Sequence, residues 1–414
     1  MFWLKVYKFL GILFFELFKF YLLISGKSSE FNSLRLGNFS KFPKSRIWIH
    51  SVSVGELKAV EPFIKELKKR KHQIVLSVGT RAGFELAKSI YAKDSSVFVT
   101  VIPFDCVKTV KSFLNNLQPM AVFFVETELW PLFVHECKKK SIPLFWLNGR
   151  VSDRAFKSTG LYQIALSWMI PQFDLCLMRS LEDLRKASLI SSSGNYGNIK
   201  GVCLGDIKYD KPFRKSTLKR SNFIKKNEKV IVLGSSHEGE EKIVFSLFDK
   251  LVKKFKNLKL IIAPRKIERI ENIKKTFSDK KVLNWSDLNK GNKEAFDILM
   301  IDEMGILSQV YSIADIALVG GSWVKRGGHN PIEPCFFGIP TVFGPSMENF
   351  REVAGDLINS GGAVSASEYE LLDIVENLLL DDSKRREVGL FGLEAVNSRK
   401  GVSKRMINEI EFLL

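Results

Sequence analysis

Two segments in the first half of the chain place carboxylates where they could move a proton. In WIHSVSVGE, residues 48–56, an apolar run enters a tight turn at Gly55 and delivers Glu56 to the start of a helix. A carboxylate at such a junction can act as a general base. The same spacing, Ser53-x-x-Glu56, is also a capping box, in which Glu56 only satisfies a backbone N–H. Both readings stand on spacing alone, and His50 reads as a structural strand-end histidine. In VETELWP, residues 125–131, Glu126 and Glu128 close a strand and Pro131 opens a helix. One carboxylate is expected to cap that helix. The other needs a cation, which Arg150 and Arg154 offer from the end of the next strand; a purely structural ion pair is the alternative.

The second half offers anion chemistry. SSHEGEE, residues 235–241, is a strand-turn-helix whose small residues could admit a ligand, although its acids would repel a phosphate or simply suit a helix N-terminus. Pro264 and Arg265 end another strand with a guanidinium held in place, a natural clamp for an anion. The strongest local signal is GGSWVKRGGHNPIEP, residues 320–334. Two Gly pairs, Asn330 as N-cap and Pro331 as first helical residue predict a nest of backbone N–H groups able to bind phosphate. Glu333, one turn in, could accept hydrogen bonds from a ribose. Neither G-x-G-x-x-G nor the P-loop pattern is present, so dehydrogenase and P-loop readings lose ground.

The elements that position these junctions follow from periodicity. The chain has 414 residues, 45% of them hydrophobic and 26% charged, enough for more than one core. From residue 46 on, short apolar runs alternate with helix-length amphipathic stretches. Strands are expected at 46–52, 73–79, 97–103, 120–126, 143–148, 175–178 and 199–203, then at 229–234, 259–263, 297–301, 316–320 and 340–343. Near-continuous runs such as MAVFFVE indicate parallel strands covered on both faces. The polar, basic stretch 208–229 separates the two sets as a linker. The expected fold class is α/β, with two Rossmann-like doubly wound domains and a cleft between them. The domains are residues 28–214 and 215–414, with the last helix packing back on the first. No repeat of solenoid or propeller period is visible.

Residues 1–27 are strongly apolar yet contain Lys5, Lys8, Glu16 and Lys19, and no uncharged run there exceeds seven residues. A spanning helix needs ~20 mostly apolar residues. On a helical wheel of about 100° per residue the four charges fall within an arc of about 80°. Opposite them lie Phe2, Leu10, Leu13, Phe14, Leu17, Phe20 and Tyr21, the pattern of a helix lying in a membrane interface. A helix docked on the protein's own core and a tilted spanning helix are the alternatives.

The net charge of +18 is unevenly shared: residues 1–215 carry 33 basic and 17 acidic side chains, residues 216–414 carry 30 and 28. One half therefore faces a polyanion, such as an anionic membrane surface or a phosphorylated substrate. The five cysteines form no C-x-x-C pair and the five histidines no H-x-x-x-H spacing. A reducing compartment and no bound metal are expected.

Taken together, HSVSVGE, VETELWP, NGRVSDR, KYD at residues 208–210, SSHEGEE, APR, DEMG, GGHNPIEP and FGPSMENF resemble, in order, the motifs of the Kdo transferases. These enzymes attach 3-deoxy-D-manno-octulosonic acid (Kdo) to lipid A at the inner membrane of Gram-negative bacteria. The resemblance implies a GT-B fold, a CMP-Kdo donor, a lipid A precursor as acceptor, and an inverting, metal-independent reaction with no cofactor. It implies attachment to the cytoplasmic face of the inner membrane through residues 1–27. Glu56 matches the general base, kept ionised by its helix N-terminus. Glu126 and Lys208 match positions that stabilise the transition state. Pro264, Arg265, Met304, Gly305, Ile306, Asn330, Pro331, Ile332 and Glu333 match the CMP-binding segments. Leu132, Asp206 and Lys266 depart from the usual pattern, as does Ile306, which replaces a glutamate and leaves only backbone for contacts there. With the polyanion so identified, nucleic acid drops out as a partner. A related GT-B transferase with another nucleotide sugar and lipid acceptor is the second reading, and a catalytically silent membrane scaffold the third.

Overall fold

Apolar runs with β-branched and aromatic residues become the strands of two parallel sheets in the computed structural model. The structure describes residues 2–413 except 27–28, 40, 43–45, 212, 214–215 and 292–293. Two units form: Met1–Lys211 together with Gly401–Leu414, and Pro212–Lys400. The boundary expected after residue 214 lies outside the described residues.

The first unit holds β1 (Ile47–Ser51), β2 (Ile74–Val78), β3 (Val97–Val101), β4 (Ala121–Val125), β5 (Leu144–Gly149), β6 (Leu175–Met178) and β7 (Gly201–Cys203). Their order is β3-β2-β1-β4-β5-β6-β7, with parallel pairing. Side chains alternate between two cores, as the two-residue period of a strand requires. Trp48, Val122 and Phe124 enter one core, and Ile47, Ile49, Phe123 and Val125 the other. The direction of sheet building reverses between β1 and β4. Ligands of doubly wound sheets bind beyond the carboxyl ends of the strands at such a switch point. Glu56 follows β1 and Glu126 follows β4, so the fold brings both to that point.

The second unit holds β8 (Lys229–Ser236), β9 (Leu258–Pro264), β10 (Val282–Asn284), β11 (Ile298–Met300), β12 (Ile316–Val319), β13 (Thr341–Phe343) and β14 (Ala363–Ser365). The order is β10-β11-β9-β8-β12-β13-β14, again parallel. Here the switch lies between β8 and β12. β10 and β14 were not expected from periodicity. Both are three-residue edge strands that end in a polar residue, Asn284 and Ser365.

The helix Phe2–Ser25, α1, has three faces. Trp3, Leu4 and Phe15 are buried on the first unit, and Trp3 meets Trp168 edge-on at 5.4 Å. Gly11 lets the helix approach the Asp105 backbone, where an added Cβ would lie 3.2 Å from the carbonyl oxygen. Lys5, Glu16 and Lys19 are exposed along a second face. The third face, Phe2, Leu10, Leu13, Phe14, Leu17, Phe20 and Tyr21, is at least 50% exposed at every position. Docking and an uncovered apolar face thus coexist. Among the described residues no helix is long and apolar enough to cross a membrane.

The C-terminal helix Val402–Ile410 belongs to the first unit. Its Val402, Met406, Ile407 and Ile410 join the core that contains Phe63 and Leu67. Asp210 caps it, its carboxylate accepting from the amides of Gly401 at 2.6 Å, Val402 at 3.2 Å and Ser403 at 2.6 Å.

Candidate active site

Ser53 caps the helix Val54–Lys69, its hydroxyl accepting from the Glu56 amide at 3.3 Å. The Glu56 carboxylate in turn accepts the Val52 amide at 2.6 Å and the Ser53 hydroxyl at 3.3 Å. The capping box is real, and it fixes the carboxylate without neutralising it. Burial pushes the Glu56 pKa up to about 7; the Val52 amide opposes, and the charges of Glu126 and Glu128 push it further up. The expectation that the helix end keeps Glu56 ionised is thereby corrected: burial and like charges outweigh the favourable amides. A carboxyl poised near neutrality is suited to exchange a proton at physiological pH.

Glu126 sits in a left-handed backbone conformation, φ 54°, which a non-glycine residue adopts at a cost. Its carbonyl accepts from the Trp146 indole and, at 3.4 Å, from the Arg150 amide, while its own amide donates to Leu147 O at 3.0 Å. These bonds aim a 7% exposed carboxylate at Lys208, whose Nζ lies 3.2 Å from Oε1. Burial lowers the Lys208 pKa, but Glu126 and Asp206 more than reverse it, so the ammonium is retained. The partner expected from the sequence was Arg150 or Arg154; Lys208, on the turn Ile207–Asp210, supplies the ion pair instead.

A second layer that sequence reasoning missed holds this pair. Asp206 Oδ1 accepts from the Lys208 amide at 2.9 Å and from Asn148 Nδ2 at 3.2 Å. Arg179 lies 3.9 Å from Asp206 and donates to Asp183 at 2.9 Å. Asp183 also accepts from the Val151 amide at 2.7 Å. Asp183 stands three residues after Ser180, at the end of β6. That spacing reads as a helix cap and gave no hint of the longer network.

Neither Glu126 nor Glu128 caps the helix Pro131–Lys139, contrary to expectation. Asp105 does, accepting the Leu132 amide at 3.1 Å and the Phe133 amide at 3.2 Å. The cap arrives from the loop after β3, beyond the reach of any local pattern. His50 lies inside β1, fully buried, 2.9 Å from Ser77 Oγ, and burial pushes its pKa down to about 3. It is a neutral core imidazole.

In the second unit the nest was expected over residues 320–334, at the start of the helix after Asn330; its first part, residues 320–323, is already filled. The buried Glu240 accepts the amides of Gly321 at 2.7 Å, Ser322 at 3.0 Å, Trp323 at 3.0 Å and His237 at 2.8 Å. An internal carboxylate takes the amides that follow the first Gly pair, because the helix Glu240–Lys254 starts beside the loop. Gly320 is obligatory there: a Cβ would lie 2.6 Å from Ser235 O. The second Gly pair is also engaged, Gly327 with Ser346 Oγ at 3.1 Å and Gly328 with Gly321 O at 2.8 Å. Glu241, the next acid, is bound bidentately by Arg269 at 2.9 and 3.1 Å. Two of the three acids of SSHEGEE, Glu240 and Glu241, are therefore turned inward, while Glu238 is exposed.

What this loop presents is a histidine pair among arginines. His237 and His329 approach at 2.9 Å between Nε2 atoms, their rings 2° from parallel. Burial, then the charge of Arg265, pushes His329 down to about 4. His237 is also lowered, by burial first and with Arg326 and Arg265 contributing. Arg265 is exposed and held by its amide to Ser236 O at 3.0 Å, just after Pro264 ends β9. Two guanidiniums beside neutral imidazoles make a site for an anion. Asn330 accepts the Ile332 amide at 3.1 Å and lies 3.4 Å from Glu333. Pro331 occupies the cap position and the helix runs Ile332–Phe336, one residue later than expected. Met304 is 65% exposed, and with Gly305 and Ile306 it forms the loop after β11. Among the described residues no three His, Cys, Asp or Glu side chains gather in a metal-holding group.

Comparison with known proteins agrees with this architecture. Residues 31–211 match the family model described as 3-deoxy-D-manno-octulosonic-acid transferase (kdotransferase). A 3-deoxy-D-manno-octulosonic acid transferase of Haemophilus influenzae is 31% identical over 90% of this chain and 88% of its own. One from Aquifex aeolicus is 29% identical over 84% of this chain and 92% of its own. Among solved structures, the UDP-GlcNAc 2-epimerase of Neisseria meningitidis bound to UDP-GlcNAc superposes with a TM-score of 0.60 at 14% identity. It covers 89% of this chain and 99% of the epimerase, a likeness of fold.

Proposed function

The chain belongs to the 3-deoxy-D-manno-octulosonic acid transferase family, and we propose that it moves Kdo from CMP-Kdo to a lipid A precursor by an inverting displacement with Glu56 as general base. The observation that carries the role of Glu56 is its placement, a buried carboxylate held by the Val52 amide and the Ser53 hydroxyl at the switch point of the first sheet, where burial and the charges of Glu126 and Glu128 push its pKa up to about 7.

In this reading Glu56 takes the proton of the acceptor hydroxyl as that oxygen bonds to the anomeric carbon of Kdo. The bond between the anomeric carbon and the CMP phosphate oxygen breaks, and its electron pair leaves with CMP. A single displacement inverts the anomeric centre. The Glu126 carboxylate faces the positive charge that develops on the sugar ring, and Lys208 the negative charge on the leaving group. Arg265 binds the phosphate. The backbone of Met304, Gly305 and Ile306, with Asn330, Pro331, Ile332 and Glu333, holds the nucleoside. Since the 320–323 amides serve Glu240 and the Ile332 amide serves Asn330, the donor phosphate is assigned to Arg265 and Arg326 beside the His237–His329 pair. The exposed face of α1 lies in the cytoplasmic leaflet of the inner membrane and brings the first unit to its acceptor.

The test is CMP release from CMP-Kdo in the presence of a tetra-acylated lipid A precursor, with EDTA present. Glu56→Gln keeps the shape and is expected to slow release by ~10²- to 10⁴-fold while the protein stays folded. Wild-type rates in that variant would reduce Glu56 to a cap, and a strict need for a divalent ion would overturn the metal-independent step.

A further inference from the structure

Two chambers in the first unit meet at the loop that carries Glu128. One, of about 380 Å³, is apolar, walled by Trp3, Tyr7 and Leu10 of α1, by Trp130, and by Ala165 and Met169 of the helix Gly160–Met169. The other, of about 400 Å³, is the more polar and includes Arg150 and Ser152. They share Thr127, Glu128, Leu129 and Tyr162. The rim of the apolar chamber is open: Leu10 is 53% exposed, Leu161 59% and Tyr162 54%. It is continuous there with the uncovered apolar face of α1.

An apolar space beside a polar one, two residues from the aimed carboxylate Glu126, fits an amphiphile whose head and chain must be held together. We propose that the apolar chamber binds one acyl chain of the acceptor, so that the sugar to which the chain is attached lies in the polar chamber beside Glu128 and Arg150. This assignment rests on the acceptor being an acylated sugar, the reading given above. A chain enters from the α1 face without crossing water, which burial of apolar area favours. The indole of Trp130 and the ring of Tyr162 form walls that suit methylene groups. The consequence is a chemical ruler: the depth of the chamber makes acceptor affinity depend on chain length.

The test is a series of acylated glucosamine disaccharide acceptors with chains from four to fourteen carbons, assayed for KM and kcat with the full-length protein. In the wild type KM is expected to fall by up to roughly fourfold per added methylene until the chamber is full, then level off. Ala165→Phe, which narrows the chamber, is expected to raise KM at least tenfold for the long chains and much less for the four-carbon acceptor, so that the dependence of KM on chain length flattens. Leu10→Gln, at the rim, is expected to act in the same direction, and it covers the case that Ala165→Phe fails to fold. Phe20→Gln, on the exposed face of α1 away from the chamber, separates site binding from general adsorption. Equal changes in Leu10→Gln and Phe20→Gln, or a KM blind to chain length, would overturn the proposal. A second readout does not depend on the enzymatic reading: cis-parinaric acid bound near Trp3 and Trp130 should be excited by energy transfer, and Ala165→Phe or Leu10→Gln should abolish that signal. Transfer failing with every acceptor while the probe binds the wild type and is lost in both variants would sink the Kdo-transfer reading and leave an acyl site. Failure of the probe to bind the wild type would sink the acyl site itself.

Discussion

At the level of single residues, the deciding feature is a carboxyl group that neither wins nor loses its proton outright. Glu56 is capped like an ordinary helix-start glutamate, yet burial and two nearby carboxylates move it to about 7. The pH dependence follows: kcat/KM should rise with pH along a limb centred near 7, as the base form accumulates. Glu128→Gln removes one like charge and should move that limb to lower pH. A limb that stays in place, or moves upward, would contradict the assignment. Stability carries the opposite sign. A carboxyl whose folded pKa exceeds its unfolded value of ~4.5 favours folding below that value, and the advantage is lost as pH rises toward 7. Glu56→Gln is therefore expected to raise the Tm at pH 8 relative to wild type, and to leave it nearly unchanged at pH 4. In the second unit the equivalent single residue is Glu240, which satisfies four amides while fully buried. Glu240→Ala leaves those donors unpaired and should cost ~3–5 kcal/mol, read as an earlier urea transition. The motif GGSW was legible as a loop with strict glycines; its occupant was not, because the acid that fills it lies in a different motif.

Helices and strands show where a local pattern is enough and where it is not. The twelve strands expected from apolar runs are all present, since a buried parallel strand writes its burial into consecutive residues. β10 and β14 escaped because each is a three-residue edge strand ending in a polar residue, Asn284 and Ser365; β7, equally short and at an edge, is followed by Leu204 and was expected. Caps divide in the same way. Ser53, Ser152 and Ser180 cap helices in their own sequence neighbourhood, whereas Asp105 and Asp210 cap helices that begin far along the chain. The Asp210 cap predicts a local effect. Asp210→Ala should destabilise the first unit by ~1–2 kcal/mol and speed amide hydrogen exchange in residues 402–410 before the rest of that unit. Uniform exchange across the unit would mean that the C-terminal helix is held by Met406, Ile407 and Ile410 alone. The ion pair of Glu126 was half legible in the same sense. A carboxylate at a buried strand tip needed a cation, but Lys208 follows β7, three strands further along the chain and the sheet, and reaches Glu126 because the loop after β7 returns over the strand ends, where Asp206 bonds Asn148.

For the whole molecule, the charge asymmetry is the property that no single site explains. Assigning the C-terminal helix to the first unit leaves +14 there and +4 on the second. On α1 the lysines flank an apolar face that is at least half exposed at every position, and in the proposed reading the two features act together at an anionic lipid surface. Each Lys or Arg close to such a surface contributes ~1 kcal/mol, and the attraction fades over a Debye length of ~8 Å at physiological salt. Binding of the full-length protein to vesicles containing an anionic phospholipid should therefore weaken steeply between low and high salt, and binding to purely zwitterionic vesicles should be weak throughout. Replacing Lys5, Lys8 and Lys19 together by Glu should flatten the salt dependence without altering CMP-Kdo binding. In the proposed reading the second unit, with its smaller net charge, binds the donor through a few placed groups such as Arg265, so affinity for CMP-Kdo should change far less over the same salt range. Sedimentation with vesicles and titration with the nucleotide sugar measure the two slopes on one preparation. Parallel slopes would show that the charge excess serves the molecule as a whole, and the division of labour between its units would then need another basis.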